Sequence, residues 1–282
     1  MKLTVEQFIS LRDIIFDKAG LYFDTNKIYL MKKRVEKRLE SLGIEDVTEY
    51  YNLMKYKDRQ GIEMQNLLNL LTTNETYFYR EDNQLKVFMD HCLTQIMAGE
   101  EKKRLKKLKI WSAGCSSGEE PYTIAIMLRE RGLEHLSWNI EIFATDIDTN
   151  ILEMAQKGVF HIRSTRFVPP LILKKYFRPS GSDYFALDPL IKGMVQFQHL
   201  NLVDNLRMRF MRAFDFIFCR NVLIYFNDAS RRTVMANFYD SLNPGGYIYL
   251  GHSESVSRLS SAFTIERAGG LIVHRKPPSE EV

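Results

Sequence analysis

Ile110-Trp111-Ser112-Ala113-Gly114-Cys115-Ser116-Ser117-Gly118-Glu119-Glu120-Pro121-Tyr122 is the stretch that decides the fold. An apolar strand enters a turn of small residues, and Pro121 opens an amphipathic helix carrying Ile124, Ala125 and Leu128. In a doubly wound sheet this first strand-to-helix turn sits at the carboxyl ends of the strands, where nucleotide-like ligands bind. Small side chains let such a ligand approach the backbone. Glycines serve any tight turn as well, so the turn alone does not establish a nucleotide site.

Downstream, short apolar runs alternate with helix-length connections. Lys109–Ser112, Ile140–Ala144, Val195–Phe197, Phe214–Phe218 and Gly246–Leu250 read as strands, which implies an α/β domain with a mainly parallel sheet. Phe263–Glu266 and Leu271–His274 flank Arg267-Ala268-Gly269-Gly270 and read as a closing antiparallel hairpin, with a frayed tail after Lys276. Ala144-Thr145-Asp146-Ile147-Asp148 ends the second strand, and Asp146 lies 32 residues after Gly114. A carboxylate there can accept both ribose hydroxyls of a bound nucleoside. Capping of the following helix is the competing role for Asp146, and the two are compatible. Nicotinamide and S-adenosylmethionine enzymes both use such a carboxylate. The missing G-x-G-x-x-G and the terminal hairpin disfavour the nicotinamide reading.

Upstream of the sheet the chain reads as helical. Thr4 and Gln7 make a capping box for a first helix reaching about Lys18, with Phe8, Leu11, Ile14 and Ile15 on one face. A second helix runs from about Thr25 to Leu42, stops at Gly43, and carries an apolar stripe of Ile28, Met31, Val35 and Leu39. Its other face holds Lys27, Lys32, Lys33, Arg34, Lys37 and Arg38 against only Glu36 and Glu40, a net +4 that equals that of the whole chain. Two readings stay open for this face: simple solvation, or docking of an acidic partner.

Composition narrows the function class. The chain has 282 residues, 45% hydrophobic and 26% charged, which suits a globular protein of two domains. A net charge of +4 is too modest for a dedicated nucleic-acid binder. Cys92, Cys115 and Cys219 form no C-x-x-C pair and the six histidines are scattered, so we expect reduced thiols and no metal. The N-terminus alternates charged and apolar residues too early for a signal peptide, and no apolar window is long enough for a span, so a cytoplasmic location without membrane insertion is expected.

Five motifs, in order over almost the whole chain, resemble the CheR chemotaxis methyltransferases. They are Leu71–Glu81, Gly114–Tyr122, Ala144–Asp148, Phe218–Phe226 and Leu250–Glu254. The resemblance implies a small all-α N-terminal domain and a Rossmann-like class I methyltransferase sheet with an inserted antiparallel β-subdomain. It implies that Asn74, Thr76 and Arg80 close over S-adenosylmethionine, that Glu119 holds its methionyl amine, and that Asp146 holds its ribose. By the same resemblance Asn201 and Leu202 flank the adenine, while Gly114, Arg220, Asn221 and Tyr225 line the site. The implied division is a substrate-docking domain over residues 1–74, a linker and helix over 75–105, and a methyltransferase domain over 106–282. The implied substrates are glutamate side chains on the acidic helices of chemoreceptor cytoplasmic domains, with the same chemistry on a signalling protein outside flagellar chemotaxis as the alternative, and a monomer is expected.

The residues suit that chemistry. A glutamate of pKa ~4.3 is ionised at neutral pH and needs no general base to attack a sulfonium methyl. Positioning is the main task, worth roughly 7–11 kcal/mol when reactants are aligned. Arg80 offers a planar fork for the incoming carboxylate, and Tyr225 an oxygen near the methyl. Lys32, Lys33, Arg34, Lys37 and Arg38 are the candidate docking residues. A nucleic-acid methyltransferase would carry an acidic Pro-Pro-aromatic motif where Arg220-Asn221-Val222-Leu223 stands. A non-catalytic cofactor-gated module would not need Arg80, Asp146 and Tyr225 together. Tyr176–Arg178, Asp183–Leu187 and Met194–Phe197 are the expected strands of a β-subdomain at about 176–197. Family members that tether to a receptor tail have a longer loop with Gly-x-Gly there. Pro179-Ser180-Gly181-Ser182 is short, so docking without such a tether is expected.

Overall fold

The computed structural model describes residues 3–254 and 260–279. The first helices are α1 (Val5–Ala19), α2 (Ile28–Leu42), α3 (Val47–Asn52) and α4 (Ile62–Leu71). Thr4 and Gln7 form the expected reciprocal capping box, and Gly20 and Gly43 end α1 and α2 with left-handed backbone that a side chain would disfavour. The stripes Phe8, Leu11 and Ile15 on α1 and Met31, Val35 and Leu39 on α2 are buried. A charged knot fixes α2 to α4. Arg38 donates to both carboxylate oxygens of Glu63, at 2.8 and 2.7 Å, and the Tyr50 hydroxyl donates to Glu63 at 2.8 Å.

A strap leads from α4 into α5 (Asp82–Val87), a π-helical turn (Phe88–Cys92), α6 (Leu93–Ala98) and α7 (Glu100–Leu105). The sheet region then follows as β1 (Lys107–Ala113), α8 (Glu119–Glu130), β2 (Asn139–Asp146) and α9 (Thr149–Lys157). It continues as β3 (Val159–His161), α10 (Pro170–Tyr176), β4 (Phe177–Pro179), β5 (Tyr184–Leu187) and α11 (Pro189–Lys192). The last elements are β6 (Val195–His199), α12 (Asn205–Met208), β7 (Phe214–Cys219), α13 (Asp228–Ser241), β8 (Leu242–Leu250), β9 (Thr264–Ala268) and β10 (Leu271–Arg275). Seven strands form one sheet in the order β6-β2-β1-β7-β8-β10-β9. The first five are parallel, as helical crossovers require, and β10 and β9 run antiparallel around Gly269 and Gly270, both at positive φ.

A separate three-stranded antiparallel sheet has the order β3-β5-β4. Its third strand is Val159–His161, which corrects the expected Met194–Phe197. Residues 195–199 instead pair in parallel with β2, Ile142 opposite Val195, and form the edge of the main sheet. The local apolar pattern of Val195-Gln196-Phe197 fits either partner; the crossover through α9 and α11 decides it. Of the expected frayed tail, Glu280 and Glu281 lie outside the described residues.

Alternation along the strands splits the core. Ile110, Phe216, Phe218, Tyr247 and Tyr249 face α5, α6 and α8, whereas Trp111, Ala113, Phe214, Ile217 and Ile248 face the other way. The second face merges with Phe8, Leu11, Ile15, Met31 and Val35 into one apolar cluster, so α1, α2 and the sheet share a core. Polar seams support the contact. Tyr22 donates its amide to the Tyr225 carbonyl at 3.0 Å, and the Ser230 hydroxyl donates to the Gly20 carbonyl at 2.9 Å.

Glu63→Ala strips the Arg38 guanidinium and the Tyr50 hydroxyl of their acceptor. The expected loss is about 2–3 kcal/mol of unfolding free energy, measured by urea denaturation, with a smaller loss for Glu63→Gln.

Candidate functional site

A cleft opens at the carboxyl ends of β1, β2, β6 and β7, floored by the turns after those strands and roofed by the strap over residues 72–81. The turn after β1 is held to its neighbour: the amides of Gly114 and Cys115 both donate to the Thr145 carbonyl, at 2.8 and 2.9 Å. Thr145 also accepts from the Trp111 indole at 2.9 Å. Gly114 has φ of +82°, and a Cβ on it would lie 2.3 Å from Val222 Cγ2, so no other residue fits without displacing the opposite wall.

Asp146 sits where β2 ends. One carboxylate oxygen accepts the Ser116 amide at 2.8 Å and the other accepts the Asp148 amide at 3.0 Å, which leaves lone pairs on both for a ligand. Burial pushes its carboxyl above the usual aspartate range, opposed by those amides. The competing helix-cap role belongs to Asp148 instead, whose Oδ1 accepts the amides of Asn150 and Ile151 at 2.9 and 3.0 Å.

The strap is tied at several points. Thr72 and Asn74 donate to Asp148 Oδ2 at 3.0 and 2.8 Å. The Phe78 amide donates to the Ser164 carbonyl, the Tyr79 amide to Thr123 Oγ1, and the Tyr225 hydroxyl to the Thr73 carbonyl. Tyr79 and Glu81 take left-handed backbone at φ of 60° and 55°, which turns the chain so that Arg80 borders the cleft. Arg80 donates to the Glu75 carbonyl at 2.7 Å and stands 5.8 Å from the Tyr77 ring. Beneath it, Arg220 pairs with Glu81 and Glu120, each at 3.2 Å, and donates to the Arg80 carbonyl. Burial raises the Glu120 carboxyl pKa, and the charge of Arg220 opposes that rise.

Most residues expected at the site converge here. Asn74, Thr76 and Arg80 border the cleft from the strap, and Gly114 and Asp146 from the floor. Asn201, Leu202, Arg220, Asn221 and Tyr225 complete the wall, although Asn201 is occupied by the Lys18 carbonyl at 2.8 Å and the Val203 amide at 3.2 Å. Glu119 is the exception. It is not among the lining residues: its buried carboxyl accepts from the Ser117 hydroxyl at 2.6 Å, and Glu120 lines the cleft. Adjacent glutamates at a helix start differ by about 100° in direction, which spacing alone does not resolve. Sequence reasoning also missed Ser116 on the floor and the apolar Leu21, Phe23 and Leu71 from the helical region. It missed the role of Glu254, which accepts the amides of Gly251, Asn221 and Ile224 and so shapes the turn after β7.

The basic helix divides. Lys33 and Lys37 are exposed, and Lys32 is half-buried with Glu36 at 3.7 Å. Arg34 and Arg38 turn toward α4, Arg34 to the Leu70 carbonyl at 3.1 Å and Arg38 to Glu63, because positions one turn apart share the flank facing that helix. Among the described residues no cluster of His, Cys, Asp or Glu is arranged for a metal, and no helix is long and apolar enough to cross a membrane.

Residues 6–72 match the family profile "CheR methyltransferase, all-alpha domain", and residues 74–269 match "CheR methyltransferase, SAM binding domain". The chain is 40% identical to chemotaxis protein methyltransferase 2 of Vibrio cholerae, over 98% of this chain and 94% of that one. It is 33% identical to the chemotaxis protein methyltransferases of Borreliella burgdorferi and of Escherichia coli. Those matches cover 91% and 94% of this chain and 90% of each relative. The cleft fits the methyl donor that the second profile names. Ser116 Oγ and Asn221 Oδ1 are buried on its wall without a protein partner, and Asp146 keeps acceptor capacity for two hydroxyls.

Proposed function

The chain belongs to the CheR methyltransferase family, and from that premise we propose that this cleft esterifies glutamate carboxylates of chemoreceptors. The protein is an S-adenosylmethionine-dependent methyltransferase of chemotaxis. What supports the finer reading is that Asp146 and Arg80 border one cleft, a buried anion on its floor and a cation on its roof. When bound, S-adenosylmethionine supplies a methyl group on a positively charged sulfur that leaves as a neutral thioether. Asp146 accepts the ribose hydroxyls, and Asn74 and Thr76 close over the donor from the strap. Glu120 is already paired with Arg220, so Asp146 is the floor carboxyl left free to meet the donor. Arg80 directs one N–H at the incoming glutamate carboxylate, which is already ionised, so no side chain has to take a proton. Burial keeps the Tyr225 hydroxyl protonated at neutral pH, where it holds the strap at Thr73 and bounds the methyl's path. Lys33 and Lys37, with Lys32, draw the acidic receptor helices to the face of α2 without the help of a receptor-tail tether. Arg34 and Arg38 support that face from behind.

The experiment is transfer of labelled methyl from S-adenosylmethionine to receptor cytoplasmic domains, with base-labile product expected and base-stable product contradicting an ester. In that assay Arg80→Ala and Tyr225→Phe lower turnover more than donor affinity, and full activity removes the residue concerned from this role. Asp146→Ala weakens S-adenosylhomocysteine binding by about 1.5–3 kcal/mol in calorimetry. Because the Asp146 pKa is raised, protonation on acidification begins above the ordinary aspartate range. Affinity therefore falls as pH drops through that raised value, and Asp146→Asn flattens the fall. Reversing Lys33 and Lys37 to Glu raises the KM for receptor and leaves donor binding intact, with the difference shrinking at high salt.

A further inference from the structure

Asp148 is 2% exposed and divides its carboxylate between two jobs. Oδ1 caps α9 through the amides of Asn150 and Ile151. Oδ2 is not needed for the cap and accepts from Thr72 Oγ1 at 3.0 Å and Asn74 Nδ2 at 2.8 Å, residues 76 and 74 positions away in the chain. Its own amide donates to Asp146 Oδ1 at 3.0 Å, so the floor carboxylate and the roof anchor belong to one turn. The same turn is bolted to α4. Gln65 donates to the Ile147 carbonyl at 2.7 Å, and Asn69 exchanges hydrogen bonds with Thr149 at 2.9 and 3.1 Å. At its other end the strap is held independently by Arg220, through Glu81 and the Arg80 carbonyl.

We propose that Asp148 is a positioning residue that latches the near end of the strap over the methyl donor, setting how long the donor stays rather than how fast its methyl moves. The proposal rests on the reading of the cleft as the S-adenosylmethionine site. Two anchors divide the strap by function. Thr72 and Asn74 are bonded to Asp148, with Tyr225 holding Thr73 between them, whereas the backbone at Arg80, whose side chain faces the receptor glutamate, is held by Arg220. Removing the carboxylate's second oxygen frees Thr72 and Asn74 and leaves the backbone at Arg80 held. An ordinary helix cap would have no such selectivity.

Serine caps a helix about as well as aspartate but has one oxygen and a shorter reach, so Asp148→Ser keeps the cap and loses the latch. We expect the full-length Asp148→Ser protein to stay folded with a slightly lowered melting temperature. Its KM for S-adenosylmethionine should rise about tenfold, the scale of losing hydrogen bonds to a charged acceptor that water partly replaces, with kcat within about twofold. Asp148→Asn, which keeps the cap and one strap contact, falls between. Thr72→Val alone raises the KM about threefold and adds little on top of Asp148→Ser, since both remove the same contact. It also serves if Asp148→Ser does not fold. Hydrogen exchange with S-adenosylhomocysteine bound, faster at amides 73–77 in the variants and unchanged at 80–81, reads the latch without catalysis. An unchanged KM and unchanged exchange overturn the proposal, as does an equal fall in kcat, affinity and melting temperature. Wild-type protein that transfers no methyl to receptors sinks the functional reading instead, and the exchange result still decides the latch.

Discussion

A guanidinium with a side chain 2% exposed has to find its counter-charges inside the protein, and Arg220 finds them in Glu81 and Glu120. These partners come from the strap and from α8, 139 and 100 positions away in sequence. The pairing therefore dictates where the strap crosses the sheet. It fixes the left-handed turn at Glu81, and through it the direction in which Arg80 leaves the strap. The floor of the cleft is set by the parallel strands alone. Its roof is held at the far end by the anions that a buried cation at the end of β7 requires.

Charge also explains why the site needs so little chemical machinery. Glu119, Glu120 and Asp146 are carboxyls whose ionisation burial opposes, and each is stabilised by a few donors rather than fully neutralised. Of these, Asp146 lines the cleft without an ion-pair partner, so it is the carboxyl that a cationic donor would meet.

Regular elements were legible because their signals are local. The Thr4–Gln7 box, Gly43 after α2 and the alternating strands all appear where periodicity puts them. The floor was legible too, since Gly114 and Asp146 stand at strand ends that the pattern locates. What was not legible depends on partners far along the chain. Met194–Phe197 reads as a strand, but whether it joins β2 or β5 is decided by the crossover. Asp146 and Asp148 differ by two positions, and only the geometry of the turn says which caps the helix and which borders the cleft. Arg34 and Arg38 look like surface charge until α4 is packed beside them.

The apolar cluster that α1 and α2 share with the sheet has a consequence for biosynthesis. Phe8, Leu11 and Ile15 leave the ribosome first, but the cluster they belong to is completed by Phe214, Ile217, Phe238 and Ile248, made some 200 residues later. At roughly 5–20 residues per second, that interval lasts on the order of 10–40 s. During it the nascent helices carry exposed apolar faces, and the Gly20 carbonyl waits for Ser230. The early chain is thus a natural client for a holding chaperone, and a translational pause before β7 would lengthen its exposure.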